Sequence, residues 1–232
     1  MTSRKGLGAA RGLWGTTDRA ACVKYQDALS RYEIVLALES DRKQLKKRAS
    51  EGEDLVSLDL FWREGLVASV RGRDTMYLTR EELIKVMKWK LTRGKFRPLL
   101  KKLEMNSGLL VEQCSRAAFS LAESGDIDGA MRELCALTCV GPATASAVLA
   151  PFYPSDAPFM DDVPLMLLHE NPKYTAKEYK DLRAELKRMA TELGGGLTAE
   201  GVGRALFVVA LASALGNAPS EPSKKKQKIG EI

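Results

Sequence analysis

The chain has 232 residues, of which 45% are hydrophobic and 28% are charged, a composition that is typical of a globular protein. Its longest apolar stretch, Ala205 to Leu215, has about half the length that a bilayer crossing needs, and no signal-peptide core follows Met1, so we expect a soluble, intracellular monomer without a membrane partner. Four cysteines without a C-x-x-C pair and a single histidine, His169, match no familiar metal-ligand spacing, so we expect no metal and no cofactor. The net charge of +6 favours an anionic partner.

Residues 1 to 15 are predicted to form a flexible N-terminal arm, because they are rich in glycine and basic residues and show little apolar periodicity. Residues 16 to 217 are predicted to form a helical domain, since apolar residues recur at steps of three and four and no proline precedes Pro98. Thr79 followed by Glu82 is a capping box, which predicts the start of one of these helices. Because no alternating strand pattern occurs, the predicted fold class is all-α.

A strongly basic segment runs from Lys85 to Lys102, with eight basic residues and no acidic one. Three of its cations are predicted to neutralise the phosphates of a nucleic acid: Arg93, Lys95 and Arg97. Trp89 and Phe96 each lie between two cations of the basic segment and could stack on bases. For Trp89 we favour the alternative, which is a place in the hydrophobic core.

Residues 129 to 150 predict two short helices joined by a tight turn. Gly141 is predicted to adopt a conformation that other residues resist, and Pro142 suits the first turn of the second helix. The first amides of that helix have no partner inside the helix, and the helix dipole adds partial positive charge there, so the turn is a predicted seat for a phosphate. The alternative is a structural turn in an ordinary helical bundle.

This turn and the sequence after it resemble the helix-hairpin-helix DNA glycosylase superfamily, whose members excise damaged or mismatched bases. The resemblance covers about Glu133 to Leu167 and rests on Leu137, Val140, Gly141, Thr144 and Ala145, followed by Pro158-Phe159-Met160-Asp161-Asp162-Val163. It implies a two-lobed helical bundle, with one lobe built from the N-terminal helices and the helix from Thr198 to Leu215 and the other containing the hairpin. It further implies that double-stranded DNA is bound at four hairpin residues: Val140, Gly141, Ala143 and Thr144.

The resemblance places the catalytic aspartate of the superfamily at Asp162, with Asp161 beside it as a second candidate. When a base is cleaved from its sugar, positive charge builds on the sugar, and a nearby carboxylate stabilises that charge or orients the attacking water. The target base must first leave the stack. The alternative role for Asp162 is to cap the helix that starts at Val163-Pro164.

The sequence departs from the superfamily in three places. Bifunctional members carry a lysine nucleophile where this chain has Ala143, so any activity is predicted to be monofunctional, without lyase chemistry. No cysteine quartet follows the aspartates, so no iron–sulfur cluster is implied. Cys139 stands where the hairpin of the superfamily usually has glycine.

Three functions remain open from the sequence: a monofunctional DNA glycosylase, a non-catalytic DNA-binding protein with the same hairpin, and a helical protein-interaction module with an acidic partner. Residues 218 to 232 are predicted to form a disordered basic tail, in which Lys224 to Lys228 resembles a nuclear import signal. The nucleus is therefore the predicted location. The alternatives are an organelle, addressed by the N-terminal arm, and a tail that is merely a solvated run of charges.

Overall fold

The computed structural model describes residues 4–46, 53–95 and 97–216, and within these ranges the chain forms helices and no strand. The prediction of an all-α fold is therefore confirmed. The helices are α1 (Arg4–Arg11), α2 (Arg19–Ser30), α3 (Tyr32–Lys46), α4 (Leu55–Leu60), α5 (Leu66–Arg71), α6 (Arg80–Arg93), α7 (Leu100–Leu103), α8 (Gly108–Glu123), α9 (Ile127–Cys135), α10 (Pro142–Leu149), α11 (Asp162–Leu168), α12 (Ala176–Leu193) and α13 (Ala199–Ala214). A π-helical turn, Phe61–Gly65, joins α4 directly to α5. None of the helices in the described ranges is both long enough and apolar enough to cross a membrane.

Side-chain caps define where many of these helices begin. The carboxylate of Asp18 accepts a hydrogen bond from the amide of Ala21 at the start of α2, at 2.7 Å. The capping box of Thr79 and Glu82 at the start of α6, predicted from the sequence, is confirmed. A second capping box, made by Thr175 and Glu178, opens α12. Each such cap stabilises its helix by about 1 kcal/mol, so the helix starts are encoded locally.

The last described helix, α13, packs against helices from both ends of the described chain. It packs against the three N-terminal helices α1, α2 and α3 and against α11 and α12. Its residues Val202, Ala205 and Leu206 are fully buried, which agrees with the strongly apolar sequence of this helix. The two ends of the described chain therefore share one hydrophobic core.

The N-terminal segment is not the flexible arm predicted from the sequence. Residues Arg4–Arg11 form α1, which packs on α13, and Ala10 is fully buried. The turn after α1 is also anchored, because the Tyr25 hydroxyl donates a hydrogen bond to the Leu13 carbonyl at 3.0 Å. Tertiary packing has overridden the weak local helix propensity of a glycine-containing stretch. Residues 1–3 and the predicted basic tail, residues 218–232, lie outside the described ranges.

A pair of stacked tryptophans joins α6 to the hairpin. The rings of Trp62, in the π-helical turn, and Trp89, in α6, lie parallel with centroids 3.9 Å apart, and both are fully buried. The indole N–H of Trp62 donates to the carbonyl of Ala147 in α10 at 2.7 Å. The prediction that Trp89 belongs to the core is confirmed, so its ring is not available to stack on a base. These contacts hold the end of α6 and the hairpin in fixed relative positions.

Candidate functional site

A cavity of about 410 Å³ lies where the carboxyl end of α6 meets the turn between α9 and α10, the start of α11 and one side of α13. Its volume is within the range of small-molecule binding sites. The cavity wall includes hairpin residues 141–144, Asp161 and Asp162. Six cationic residues also line it: Arg42, Lys90, Arg93, Lys95, Arg97 and Lys173. The fold therefore brings the hairpin, the two aspartates and the basic segment to one place.

Asp162 is the half-buried first residue of α11, and its carboxylate contacts two other parts of the cavity wall. Its Oδ1 accepts a hydrogen bond from the Tyr174 hydroxyl at 2.8 Å. Its Oδ2 is 3.8 Å from the position that a Cβ atom on Gly94 would occupy, so it lies against the end of α6. Burial, and then the nearby Asp161, raise the pKa of Asp162, while Tyr174, Lys90 and Arg97 act in the opposite direction.

Asp161 has a structural role. Its Oδ1 accepts a hydrogen bond from the amide of Val163 at 2.9 Å, so Asp161, and not Asp162, caps α11. Its Oδ2 forms an ion pair with Arg93 at 2.7 Å. Because Asp161 caps α11, the capping role considered for Asp162 is wrong. Both oxygens of Asp161 are engaged, so Asp162 is the carboxylate of this pair that remains for chemistry in the cavity.

Arg93 was predicted to contact DNA phosphates, and that prediction is wrong. Its side chain is only 5% exposed and is held by Asp161. Its guanidinium group also lies 3.5 Å from the centroid of the Phe207 ring. A side chain that is buried and paired in this way cannot reach the backbone of a duplex. A basic segment in a sequence does not reveal which of its cations point inward.

Arg93 also belongs to a buried chain of polar groups. Its Nη1 donates to the Tyr32 hydroxyl at 3.1 Å, and that hydroxyl donates to Asp59 Oδ1 at 2.6 Å. Asp59 Oδ1 also accepts a hydrogen bond from the indole N–H of Trp89, and Asp59 Oδ2 accepts one from Arg63 at 2.8 Å. Buried polar groups that are satisfied in this way fix side-chain orientation. The network therefore holds the arginine that orients Asp161.

Lys90 is half-buried in the last turn of α6, and its carbonyl accepts a hydrogen bond from the amide of Gly94, the residue that follows the helix. Its ammonium group has no hydrogen-bond or ion-pair partner among the residues that the structure describes. Burial, and then the nearby Arg97, lower the pKa of Lys90 to about 8, against the opposing effect of Asp162. Nothing in the sequence distinguishes Lys90 from the other basic residues between Lys85 and Lys102.

The hairpin turn has a different geometry from the one predicted. Gly141 has φ −102° and ψ −177°, an extended conformation that any residue adopts, and it is the N-cap of α10. The left-handed residue is Cys139, with φ 64°, at the position where the superfamily usually has glycine. Pro142 is the first residue of α10, as predicted.

The hairpin residues predicted to bind DNA differ in their access to solvent. Gly141 is exposed and Ala143 is half-buried, and neither backbone N–H donates a hydrogen bond within the described residues. The side chains of Val140 and Thr144 are buried, and their backbone N–H groups already donate to the carbonyls of Leu137 and Gly141, at 3.1 and 2.8 Å. The hairpin amides without an acceptor in the described part of the chain are therefore those of Gly141 and Ala143.

Lys95 and Arg97 are exposed at the mouth of the cavity, where cations can meet a phosphate. The guanidinium group of Arg97 lies 5.5 Å from the centroid of the Tyr174 ring. Phe96, considered as a stacking residue, lies outside the described residues. Two of the three predicted phosphate contacts thus have the exposure that the role requires.

Two residues with structural importance for this site were missed by sequence reasoning. Tyr174 holds Asp162 with a backbone φ of 61°, which is rare for a bulky residue and marks a constrained position. Asn106 is buried, and its side-chain amide both donates to and accepts from the backbone of Thr138, at 3.0 and 2.8 Å. Each residue lies outside the helices and bonds to a partner that is distant in the sequence, so no periodic pattern could have identified it.

Comparisons with models of protein families, with curated proteins and with solved structures found no match to this chain. Among the described residues, no group of three or more His, Cys, Asp or Glu side chains could hold a metal ion.

Proposed function

We propose that the protein binds double-stranded DNA and hydrolyses the N-glycosidic bond of a flipped base, as a base-excision DNA glycosylase does. The observation that carries the proposal is the cavity wall. Within the described residues, Asp162 neither caps a helix nor forms an ion pair, and it lines the same cavity of about 410 Å³ as the unpartnered hairpin amides and the exposed cations at the mouth.

The phosphate backbone is the first element of this proposal. The amides of Gly141 and Ala143 lie at the amino end of α10, where the helix dipole favours an anion. Lys95 and Arg97 add full positive charges next to this position. Such contacts position a duplex without reading its sequence.

The flipped base is the second element. Enzymes that act on a base inside a duplex turn the nucleotide out into a pocket and pay the unstacking cost. Phe159 and Phe207, with the polar groups of Asp162 and Tyr174, would surround a base that enters the cavity. A mixed wall of this kind suits a planar heterocycle.

The carboxylate supplies the chemistry. Asp162 would stabilise the positive charge that develops on the sugar and orient the water that attacks C1′. The hydrogen bond from Tyr174 keeps one carboxylate oxygen in place. Because Ala143 has no amine, the hairpin helix supplies no nucleophile for strand cleavage.

The two-lobed arrangement of the helices and a nuclear location are part of the same proposal. The packing of α13 on α1, α2 and α3, apart from the helices around the hairpin, supports a two-lobed, glycosylase-like bundle. We further propose that this bundle acts as a monomer. The resemblance of Lys224 to Lys228 to an import signal supports the nucleus.

The test is an excision assay on duplexes that carry alkylated, oxidised, deaminated or mismatched bases, with strand breaks read after alkali treatment. In Asp162→Asn the charge is lost and the shape is kept, so excision is expected to fall by about 10²- to 10⁴-fold while DNA affinity changes little. Tyr174→Phe is expected to reduce excision by roughly tenfold. Asp181→Asn makes the same chemical change on α12, away from the cavity, and should leave excision intact.

The second candidate is a non-catalytic DNA-binding protein. It is favoured by the fact that Asp162 is also tied to Tyr174, a contact that would hold α11 to the following loop without any chemistry. If no substrate is cleaved but the duplex is bound, this candidate replaces the first. If no DNA is bound at low salt, both fail and a protein-interaction module is the function left.

A further inference from the structure

The amine of Lys90 is the strongest feature of the cavity that the proposed function leaves unused. Lys90 lines the cavity together with Asp162 and lies one helical turn from Gly94, against which Asp162 packs. The shared cavity, and the effect of each charge on the pKa of the other group, place the amine and the carboxylate on neighbouring parts of one wall.

The other cations of the cavity are either paired with a carboxylate or exposed to solvent, and Lys90 differs from both groups. Arg93 is paired with Asp161, and Arg42 is paired with Glu39 at 2.6 Å. Lys95 and Lys173 are exposed to solvent. Lys90 is half-buried and has no hydrogen-bond or ion-pair partner within the described part of the chain.

The surroundings of Lys90 also favour the form of the amine that can act as a nucleophile. With a pKa of about 8, about a tenth of the molecules carry a neutral amine at pH 7. An ordinary lysine is neutral roughly 200 times less often. Nucleophilic lysines in enzymes are commonly activated in this way, by burial and by a neighbouring cation.

We propose that Lys90 forms an imine with the sugar aldehyde of an abasic site, which gives the protein a strand-cleaving activity that Ala143 cannot provide. This inference rests on the proposed function for the DNA that occupies the cavity. It also changes the prediction of a monofunctional enzyme, because that prediction was based on Ala143 in the hairpin helix alone.

The chemistry balances without any further reactant. The Lys90 amine adds to C1′ of the ring-opened sugar, and one water leaves as the C=N bond forms. A base then removes a proton from C2′, the electron pair forms the C2′=C3′ double bond, and the C3′–O bond breaks, which releases the strand on the 3′ side with the phosphate at its 5′ end. Water hydrolyses the imine and restores the amine.

Asp162 is the carboxylate of the cavity best able to take the C2′ proton. Glu39 is held by Arg42, and Asp161 is held by Arg93. Asp162 forms no ion pair within the described residues and accepts a single hydrogen bond from a hydroxyl. One wall would then hold both the nucleophile and the base.

The test uses the full chain and a duplex with a preformed abasic site, so that base excision is not needed. Borohydride reduces the imine and should leave a covalent protein–DNA adduct, which peptide mapping assigns to Lys90. Lys90→Arg keeps the positive charge but cannot become neutral, so the adduct and the strand break should fall to background. Lys88→Arg, on the exposed side of the same helix, should behave as the parent protein does.

Lys90→Gln, with its melting temperature measured, serves as a second variant in case arginine disturbs the packing of α6. An adduct that persists in both variants, or that maps to another lysine, would overturn the inference. So would the absence of an adduct when the abasic duplex is bound. The excision assay with alkali reads the proposed function separately, because it requires Asp162 and does not require Lys90 to form an imine.

Discussion

Cys139 has a backbone conformation that suits glycine better than cysteine. With φ 64° at the hairpin turn, its Cβ makes contacts that cost an L-residue about 1–2 kcal/mol. The turn keeps this conformation because the surrounding packing and hydrogen bonds determine it. The chain therefore stores strain at the point where the proposed phosphate site begins.

Replacing Cys139 with glycine should relieve this strain and raise the free energy of unfolding by up to about 1 kcal/mol, after the entropy that glycine adds to the unfolded chain. Cys139→Val should lower it by about 1–2 kcal/mol, because β-branched residues avoid this conformation. Urea unfolding measures both, and Cys139→Ala controls for loss of the thiol. Equal stability of the glycine and valine variants would contradict the left-handed turn.

The raised pKa of Asp162 makes this residue a cost to stability at neutral pH. Burial disfavours the carboxylate in the folded protein, so the native state binds its proton more tightly than the unfolded chain does. Stability from this group is therefore full at low pH and is lost as the pH rises through the folded pKa.

Asp162→Asn should accordingly be at least as stable as the parent protein at pH 7. The difference in melting temperature should vanish at about pH 3, where the aspartate is mostly neutral in both the folded and the unfolded state. Calorimetry across this range checks the sign. A variant that loses more than about 1 kcal/mol at pH 7 would mean that the contacts with Tyr174 and the cations outweigh burial.

At the scale of elements, the ion pair of Arg93 and Asp161 joins the carboxyl end of α6 to the amino end of α11. Both side chains are buried, so each depends on the other. Lys43 adds a further link by donating to the carbonyls of Thr92 and Arg93 at the end of α6.

Arg93→Met should lower the free energy of unfolding by about 3–5 kcal/mol, because it leaves a buried carboxylate without its partner. The double variant Arg93→Met with Asp161→Asn should recover part of this loss, since no uncompensated charge remains and asparagine can still cap α11. Urea unfolding of the three proteins gives the coupling. A loss of less than about 1 kcal/mol in Arg93→Met would restore the exposed arginine predicted from the sequence.

Most helices were predictable because their information is local. The apolar period and the capping box of Thr79 and Glu82 lie within a few residues, and the structure has helices at these places. The helix α1 was missed because its stability comes from α13, which is far away in the sequence. The direction of Arg93 was missed for the same reason, since its partner Asp161 lies on another helix.

At the scale of the whole molecule, binding of DNA should depend strongly on salt. Lys95 and Arg97 each neutralise a phosphate in the proposed complex, so reversing both charges to glutamate should lower affinity for every sequence and reduce the slope of log K against log salt by about 2. Reversing Lys177 and Lys180 on α12 changes the net charge equally, away from the cavity. Equal slopes for the two double variants would remove the mouth of the cavity from the contact surface.

The candidate site was predictable in part. The pair of aspartates and the hairpin could be found from their spacing, but the choice of Asp162 required the hydrogen bonds of Asp161, which only the folded chain shows. Tyr174 and Lys90 reach the cavity from a loop and from a helix whose sequences carry no signal for it. Tertiary packing alone determines which polar side chains share a cavity.

The tryptophan pair gives the molecule an optical reporter of its own. Two parallel indoles with centroids 3.9 Å apart, held in a rigid environment, couple their electronic transitions and should produce a strong near-ultraviolet circular dichroism band. The band requires contact between the π-helical turn and α6, whereas the far-ultraviolet signal counts all helices. If heating removes the near-ultraviolet band first, the wall beneath the cavity opens before the helices melt.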